Sequence, residues 1–188
     1  MKKTILLFAF FTAVSWGWAQ EGYQIKVTLK PFTQGYLYLG HHFGSKQYII
    51  DSVALNVASE VVFSGKEKLQ GGVYMVIFPA KNGWFEMLVD KAQHFAVTAD
   101  TSDIIGNTKF TGSPDNDLFQ EYQKTAQQKG KAIYALQSQL KEKPGRPDSA
   151  KIKAEIIKLN DEMTQYREQY IRAHPDNLLA AIFRVLQE

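Results

Sequence analysis

An uninterrupted apolar run at residues 73–78 constrains the fold of this chain more than any other stretch. Its six residues leave no polar face, so a strand that they form must be covered on both sides. A second run, Trp84 to Val89, which is apolar except for Glu86, follows after residues 79–83, which include proline, asparagine and glycine. Because a connection this short joins antiparallel neighbours, the two runs predict an antiparallel hairpin at the centre of a sheet.

Shorter segments with β-strand character lie on both sides of this hairpin. From Tyr23 to Lys30 apolar and polar residues alternate, which is typical of a strand with one face in water. The other segments are rich in aromatic and β-branched residues, show no helical period and are separated by Gly, Asn and Pro. They comprise residues 36–39, 48–50, 60–64, 94–99 and 108–111. This pattern predicts an antiparallel β-sandwich or open barrel over residues 20–112.

The period of the apolar residues changes from that of a strand to that of a helix after Gly112. Ser113 is a suitable N-cap, and Pro114 is suited to the first position of a helix. We expect a helical spacer over residues 113–188, with helices at about 114–142, 148–173 and 176–187.

The first two predicted helices carry matching apolar stripes, which indicates that they pack as an antiparallel hairpin. Lys129 interrupts the stripe of the first helix, and Gly130 is a weak point in it. The third helix is apolar nearly all round from Leu178 to Leu186. Such a helix needs burial on more than one side, so we expect a further domain or a partner protein to cover it.

The first 19 residues have the organisation of a secretory signal peptide. Lys2 and Lys3 precede an apolar stretch from Ile5 to Val14, and small residues precede Gln20, where we place the cleavage site. The apolar stretch is shorter than the ~20 residues that span a bilayer, which favours removal over anchoring. We therefore expect an exported protein, and loss of the two lysines takes its formal net charge from +3 to +1.

Composition excludes several classes of function. The sequence has no cysteine, which excludes a disulfide scaffold, a thiolate zinc site and thiol redox chemistry carried by this chain itself. Lysine alternates with glutamate, as at residues 66–68, so we expect no nucleic-acid partner. The sequence also lacks the patterns of a phosphate-binding loop and of a nucleophile elbow.

The remaining candidates for metal binding or acid-base catalysis are four aspartates and a pair of histidines. His41 and His42 are adjacent in a predicted strand, so their side chains point to opposite faces and cannot easily share one ion. The aspartates lie at predicted strand ends, where Asp commonly caps turns. They are Asp51, Asp90, Asp100 and Asp103. We predict no catalytic, cofactor-binding or metal-binding residue.

Aromatic residues of the predicted sheet could form a ligand surface. The candidates are Tyr36, Tyr38, Tyr48 and Trp84. An aromatic face could stack on a sugar or hold a peptide. Core packing explains the same residues, because aromatic side chains are common in strands. Exposure of all four on one concave surface would favour a binding protein, whereas burial of all four would favour a scaffold.

Four short motifs occur in an order that resembles a known family. They are Tyr36 to Gly40, Gly71 to Tyr74, Gly112 to Asn116 and His174 to Ala180. With the export signal, they resemble the N-terminal domain of unknown function in TlpA-like thiol-disulfide oxidoreductases. The resemblance implies a β-sandwich, a helical spacer and a following thioredoxin-like domain, in the periplasm or cell envelope of a Gram-negative bacterium.

The resemblance also implies redox chemistry at a Cys-x-x-Cys motif, which this chain lacks, so no catalytic residue can be carried over. We therefore expect a non-catalytic exported module that acts as a scaffold or docking domain and needs no cofactor. Its expected partner is a following thioredoxin-like domain or a separate protein. The alternative is a β-sandwich that binds a carbohydrate or a peptide on its aromatic face.

Overall fold

The computed structural model describes residues 22–43 and 46–186, with the main chain alone for Phe43. The predicted signal peptide, residues 1–19, lies outside the described residues. The elements are β1 (Tyr23–Lys30), β2 (Tyr36–Phe43), β3 (Lys46–Ala54), β4 (Glu60–Gly65), β5 (Gly72–Ile77), β6 (Trp84–Val89), β7 (His94–Asp100), α1 (Ile104–Asn107), β8 (Lys109–Thr111), α2 (Pro114–Glu142), α3 (Ser149–Ala173) and α4 (Leu178–Val185). The predicted order, a strand-rich unit followed by a helical hairpin and a short helix, is confirmed.

The strands form two four-stranded sheets. We call them the first sheet, with strand order β4-β1-β7-β8, and the second sheet, with order β3-β2-β5-β6. Strand β5 lies between β2 and β6 and is antiparallel to both, so the predicted hairpin is confirmed. Its position was predicted wrongly, because β6 ends the sheet and the hairpin therefore lies at an edge and not at the centre. Strands β1 and β7 pair in parallel, which departs from the expectation of antiparallel neighbours. Alternation of apolar and polar residues tells which face is buried but not which way a neighbouring strand runs.

One apolar core fills the space between the two sheets. Tyr74 and Val76 of β5 face this core. On the other face of the same strand Met75 is buried, whereas Val73 and Ile77 are half-buried. The expectation that both faces of this run are covered therefore holds at its middle and only in part at its ends.

Helices α2, α3 and α4 form a helical layer on the second sheet, joined to it by a second apolar cluster. Leu88 of β6 lies in this cluster with Phe119 of α2, Tyr170 of α3 and Phe183 of α4. The ring centroids of Tyr122 and Phe183 are 4.8 Å apart. The base of the helical layer is thus packed onto the sheet by large side chains from every one of its helices.

A buried asparagine fixes the start of α2 to the edge of β6. The Asn116 side chain accepts a hydrogen bond from the Leu88 N–H at 2.7 Å and donates one to the Leu88 carbonyl at 2.7 Å. Its amide also donates to Ser113 Oγ at 2.8 Å. Ser113 occupies the predicted N-cap position, but its side chain accepts this bond and caps no main-chain N–H of the helix. Asn116 is fully buried, so these bonds are shielded from water.

Helices α2 and α3 form the predicted antiparallel hairpin. The rings of Tyr122 and Tyr166 stack near its base, and Lys129 forms an ion pair with Glu162 further along. The lysine that interrupts the apolar stripe of α2 therefore has a partner across the hairpin. Its ammonium group lowers the pKa of the Glu162 carboxyl.

Two details of the helices differ from the sequence prediction. The short helix α1 was not expected, because four residues are too few to show a helical period. Helix α4 begins at Leu178 and not near residue 176, because Asn177 is its N-cap. Of the helices in the described part of the chain, none combines the length and apolarity that a bilayer crossing requires.

Candidate functional site

Three of the four aromatic candidates lie on the outer face of the second sheet, and we call Tyr36, Tyr38 and Trp84 the aromatic row. Tyr38 pairs with Ile77 of β5, and Ile77 pairs with Trp84 of β6, so these side chains are cross-strand neighbours. Tyr36 is 53% exposed and Trp84 is 51% exposed. Tyr38 is half-buried, and the Lys81 Nζ lies 4.5 Å from its ring centroid.

Tyr48 lies on the opposite face of the second sheet from the aromatic row. The register between β2 and β3 shifts by one residue after Leu39, and this β-bulge leaves Ile50 unpaired. The register that precedes the bulge would place Tyr48 opposite His42 on the outer face. The shifted register places it opposite His41 on the inner face. The four candidates therefore divide between two faces, three on one and one on the other.

On the inner face Tyr48 belongs to a cluster at the rim of the sandwich. Its ring stacks on that of His41, which stacks in turn on that of Tyr74, with 5.8 Å between centroids in each pair. The cluster joins a half-exposed ring, Tyr48, to the buried Tyr74, so it closes this end of the core with stacked rings.

Tyr23 is a further tyrosine of the sandwich, and the pKa of its hydroxyl is raised. Burial raises this pKa, and the nearby Asp51 carboxylate raises it further.

The two adjacent histidines separate as the strand geometry predicts. His41 lies in the inner-face stack, whereas His42 on the outer face places its Nε2 3.5 Å from Glu86 Oε1. Within residues 22–43 and 46–186, no group of three or more His, Cys, Asp or Glu side chains is placed to hold a metal ion.

Three of the candidate aspartates bind main-chain N–H groups, although Asp51 lies within β3 and not at a strand end as predicted. Asp51 accepts a hydrogen bond from the N–H of the next residue at 2.7 Å. Asp100 accepts one from the N–H two residues later at 2.9 Å, and this bond lowers the pKa of its carboxyl. Asp103 accepts one from the N–H three residues later at 3.1 Å, which caps α1. Each of these three carboxylates is thus engaged with the main chain of its own segment.

Helix α4 has one packed face and one open face. Leu179, Ala180 and Phe183 are buried in the cluster beneath the helix. Val185 is 71% exposed and Leu186 is 74% exposed. The chain itself therefore covers one side of this segment, while its exposed residues are the apolar Ala181, Val185 and Leu186 together with the charged Arg184.

The packed face of α4 is held in place by a buried polar joint. Asn177 Oδ1 accepts hydrogen bonds from the Tyr170 hydroxyl and from the Leu179 N–H, each at 2.9 Å. The Asn177 Nδ2 donates to Asp115 Oδ1 at 2.8 Å. This joint connects α4 to the end of α3 and to the start of α2. The open face of α4 is therefore presented from a fixed position.

Comparison with known proteins adds one match. A family described as a domain of unknown function, DUF4369, matches residues 23–119, which is just over half of the 188-residue chain. The matched range contains the sandwich and the first turn of α2, including Asn116 and Phe119, which anchor the helical layer. No curated protein matches the chain.

Proposed function

We propose that this chain, which belongs to the DUF4369 family of domains of unknown function, is the non-catalytic N-terminal module of an exported TlpA-like thiol-disulfide oxidoreductase. In this proposal the sandwich and the helical layer form a scaffold that docks a thioredoxin-like domain. The four motifs that resemble such proteins support it. So does the absence of cysteine from the sequence, because the redox step then belongs to another domain or protein.

The open face of α4 is the observation that carries the docking role. Val185 and Leu186 are large apolar side chains exposed at the C-terminal end of a helix whose packed face is fixed. Apolar side chains grouped on a rigid surface mark a contact site for another protein surface. We place the thioredoxin-like partner against this face.

The gene sequence beyond the codon for Glu188 tests the link to a redox domain. We expect it to encode a thioredoxin-like domain with a Cys-x-x-Cys motif. In the protein that carries this domain, Leu186→Asp should speed proteolytic cleavage between the two units, because a charge would be placed in their contact. Tyr134→Asp is the matched control, since Tyr134 is 71% exposed on the hairpin. A gene that ends at Glu188, together with a chain that binds no thioredoxin-like protein, would contradict the proposal.

We also propose that residues 1–19 direct export and are then removed. N-terminal sequencing of the protein isolated from the periplasmic or envelope fraction should begin at Gln20. Recovery of the protein in the cytoplasm with its first residues intact would rule out export and cleavage.

A second candidate function, carbohydrate or peptide binding, is favoured by the exposure of the aromatic row. Stacking on Trp84 would change its fluorescence when soluble oligosaccharides are added. Trp84→Ala and Tyr36→Ala should then abolish binding measured by calorimetry, whereas Tyr134→Ala should leave it unchanged. No heat of binding across the oligosaccharide panel would remove this candidate for sugars.

A further inference from the structure

A cavity of about 240 Å³ lies beside the edge of β6, between that strand, α1 and α2. Trp84 and Glu86 of β6 form one wall, Ile104 and Ile105 of α1 form the floor, and Gln120 and Gln123 of α2 form the opposite wall. The cavity is smaller than the ~300–1,000 Å³ of most small-molecule sites. It suits a short stretch of extended main chain better than a cofactor.

The hydrogen bonds of Leu88 show which main-chain groups of β6 face this edge. The Leu88 N–H donates a hydrogen bond to Asn116, and the Leu88 carbonyl accepts one from Asn116, so both groups point away from β5. In an antiparallel ladder this direction repeats at every second residue, so the N–H and carbonyl groups of Glu86 and Trp84 point the same way. Strand β6 has β5 as its neighbour on one side and ends the second sheet on the other.

Along this edge Asn116 takes the place of a neighbouring strand. Its amide supplies one acceptor and one donor to Leu88, which is what a paired peptide group would supply. Two residues back along β6, at Glu86, the edge opens into the cavity, and no described residue bonds to the Glu86 N–H or carbonyl at this edge. A row of unpaired main-chain groups at a sheet edge is a template for another chain.

The opposite wall adds a buried polar side chain. Gln120 is 7% exposed, and its Nε2 donates a hydrogen bond to the Ile105 carbonyl. Its Oε1 accepts no hydrogen bond from a described residue, and Gln120 is one of the residues that line the cavity. The cavity therefore sets unpaired strand-edge groups beside the Gln120 amide and the apolar Ile104 and Ile105. An exposed sheet edge with adjacent pockets for side chains is what a peptide that adds to a sheet uses.

We propose that an extended segment of a partner polypeptide adds to the edge of β6 in this cavity, antiparallel to the strand. Residues of the added strand that lie opposite Glu86 and Trp84 project from the same face as those side chains. The Glu86 side chain is 38% exposed and Trp84 is 51% exposed, so both can contact the added residues. The chemistry favours a basic residue opposite Glu86 and, two residues later, an apolar residue opposite Trp84. This site is separate from the open face of α4 and does not depend on what covers that face.

A capped peptide of sequence Thr-Lys-Thr-Leu-Thr is the probe, titrated into the full chain and followed by the amide resonances of β6. We expect saturable shifts at Trp84 and Glu86 and slower hydrogen exchange of their amides. N-methylation of the Lys and Leu amides should abolish binding, because these groups face β6 in an antiparallel pair. N-methylation of the central Thr should be tolerated, because that group points away. Replacement of Lys by Glu in the peptide should weaken binding several-fold.

Two variants of the protein test whether the cavity itself is used. Gln123→Phe fills the cavity from a half-buried position on α2 and should weaken binding of the probe at least about tenfold. Gln128→Phe places the same side chain at an exposed position of the same helix and should leave binding unchanged. The proposal is overturned if the peptide N-methylated at Lys and Leu binds as well as the peptide N-methylated at the central Thr. It is also overturned if Gln123→Phe binds the probe as wild type does, or if millimolar peptide shifts the amide resonances of neither Trp84 nor Glu86.

Discussion

At the scale of single residues, two buried asparagines join the helical layer to the rest of the chain. Asn116 takes up the free main-chain groups of Leu88, and Asn177 binds Tyr170 and Asp115 while it caps α4. Buried polar groups of this kind are costly when a partner is lost, because water cannot replace it.

Asn116→Leu removes both bonds to Leu88 without a large change in side-chain volume. The Leu88 N–H and carbonyl would then be buried without partners, so we expect the free energy of unfolding to fall by about 2–4 kcal/mol. Urea denaturation measures the loss. Asn160→Leu is the matched control, because Asn160 is exposed on α3 and should change stability by less than about 0.5 kcal/mol. Equal effects of the two substitutions would contradict the role given to Asn116.

Tyr170 is expected to make the stability of the helical layer fall as the pH rises into the alkaline range. Burial raises the pKa of its hydroxyl, and the charge of Asp115 raises it further. Above about pH 10 the unfolded chain loses this proton while the folded chain keeps it, so stability falls as the pH rises. Tyr170→Phe should cost about 1 kcal/mol at neutral pH through its lost bond to Asn177.

Above about pH 10, the stability of the same variant should fall less steeply with pH than that of wild type. The reason is that phenylalanine has no hydroxyl proton for the folded state to keep and the unfolded state to lose. Urea unfolding at a series of alkaline pH values compares the two slopes. Parallel slopes for wild type and Tyr170→Phe would show that the Tyr170 hydroxyl does not contribute.

At the scale of elements, the hairpin of α2 and α3 extends beyond the sheet and contains a glycine in a helix interior. A Cβ added at Gly130 would meet no atom within 4 Å. Gly130→Ala should therefore raise the free energy of unfolding by about 0.5–1 kcal/mol through better helix propensity. Thermal melting by circular dichroism measures the gain.

Gly145, in the loop between α2 and α3, is the matched control for this prediction. Its surroundings are equally open, but its φ of +76° lies in the region that favours glycine. Gly145→Ala should lower stability, because a positive φ is unfavourable for alanine even where its Cβ clashes with no other atom. If both substitutions stabilise, or if both destabilise, the local conformations assigned to the two glycines are wrong.

The elements that sequence could predict are those with a local signal. Alternation identified β1, an unbroken apolar run identified β5, aromatic and β-branched residues marked other strands, and apolar stripes identified α2 and α3. Features without a local signal were missed. The bulge at Ile50, which moves Tyr48 to the inner face, and the parallel pairing of β1 with β7 depend on contacts between distant segments.

The candidate surfaces were only partly predictable for a related reason. The sequence named the residues of the aromatic row, but their exposure depends on which face the helical layer covers. Leu88 and Val73 lie under the helices, whereas Trp84 at the other end of β6 stays open. The Gly112 to Asn116 motif marked the helix start, but nothing local showed that Asn116 pairs with Leu88.

At the scale of the whole molecule, the cluster between β6 and the helices couples the two parts of the chain. Phe183 is buried in this cluster against Tyr122 and Tyr170. Phe183→Ala should lower the free energy of unfolding by about 3–5 kcal/mol through the cavity that it leaves.

Coupling predicts that sheet and helices unfold together in this variant and in wild type. Trp84 is the sole tryptophan after residue 19, so its fluorescence reports on the sheet, while far-ultraviolet circular dichroism is dominated by the helices. The two transitions should coincide and shift together in Phe183→Ala. A shift of the helical signal alone would show that the helices are energetically independent of the sandwich.

We propose that the open face of α4 docks a redox partner, and side-chain footprinting by hydroxyl radicals can detect this contact. Labelling of Val185 and Leu186 is compared between the isolated chain and the native assembly purified from cells, with exposed Tyr134 as the internal reference. We expect both residues to be labelled strongly in the isolated chain and to be protected several-fold in the assembly. Equal labelling in the two samples, with Tyr134 unchanged, would contradict it.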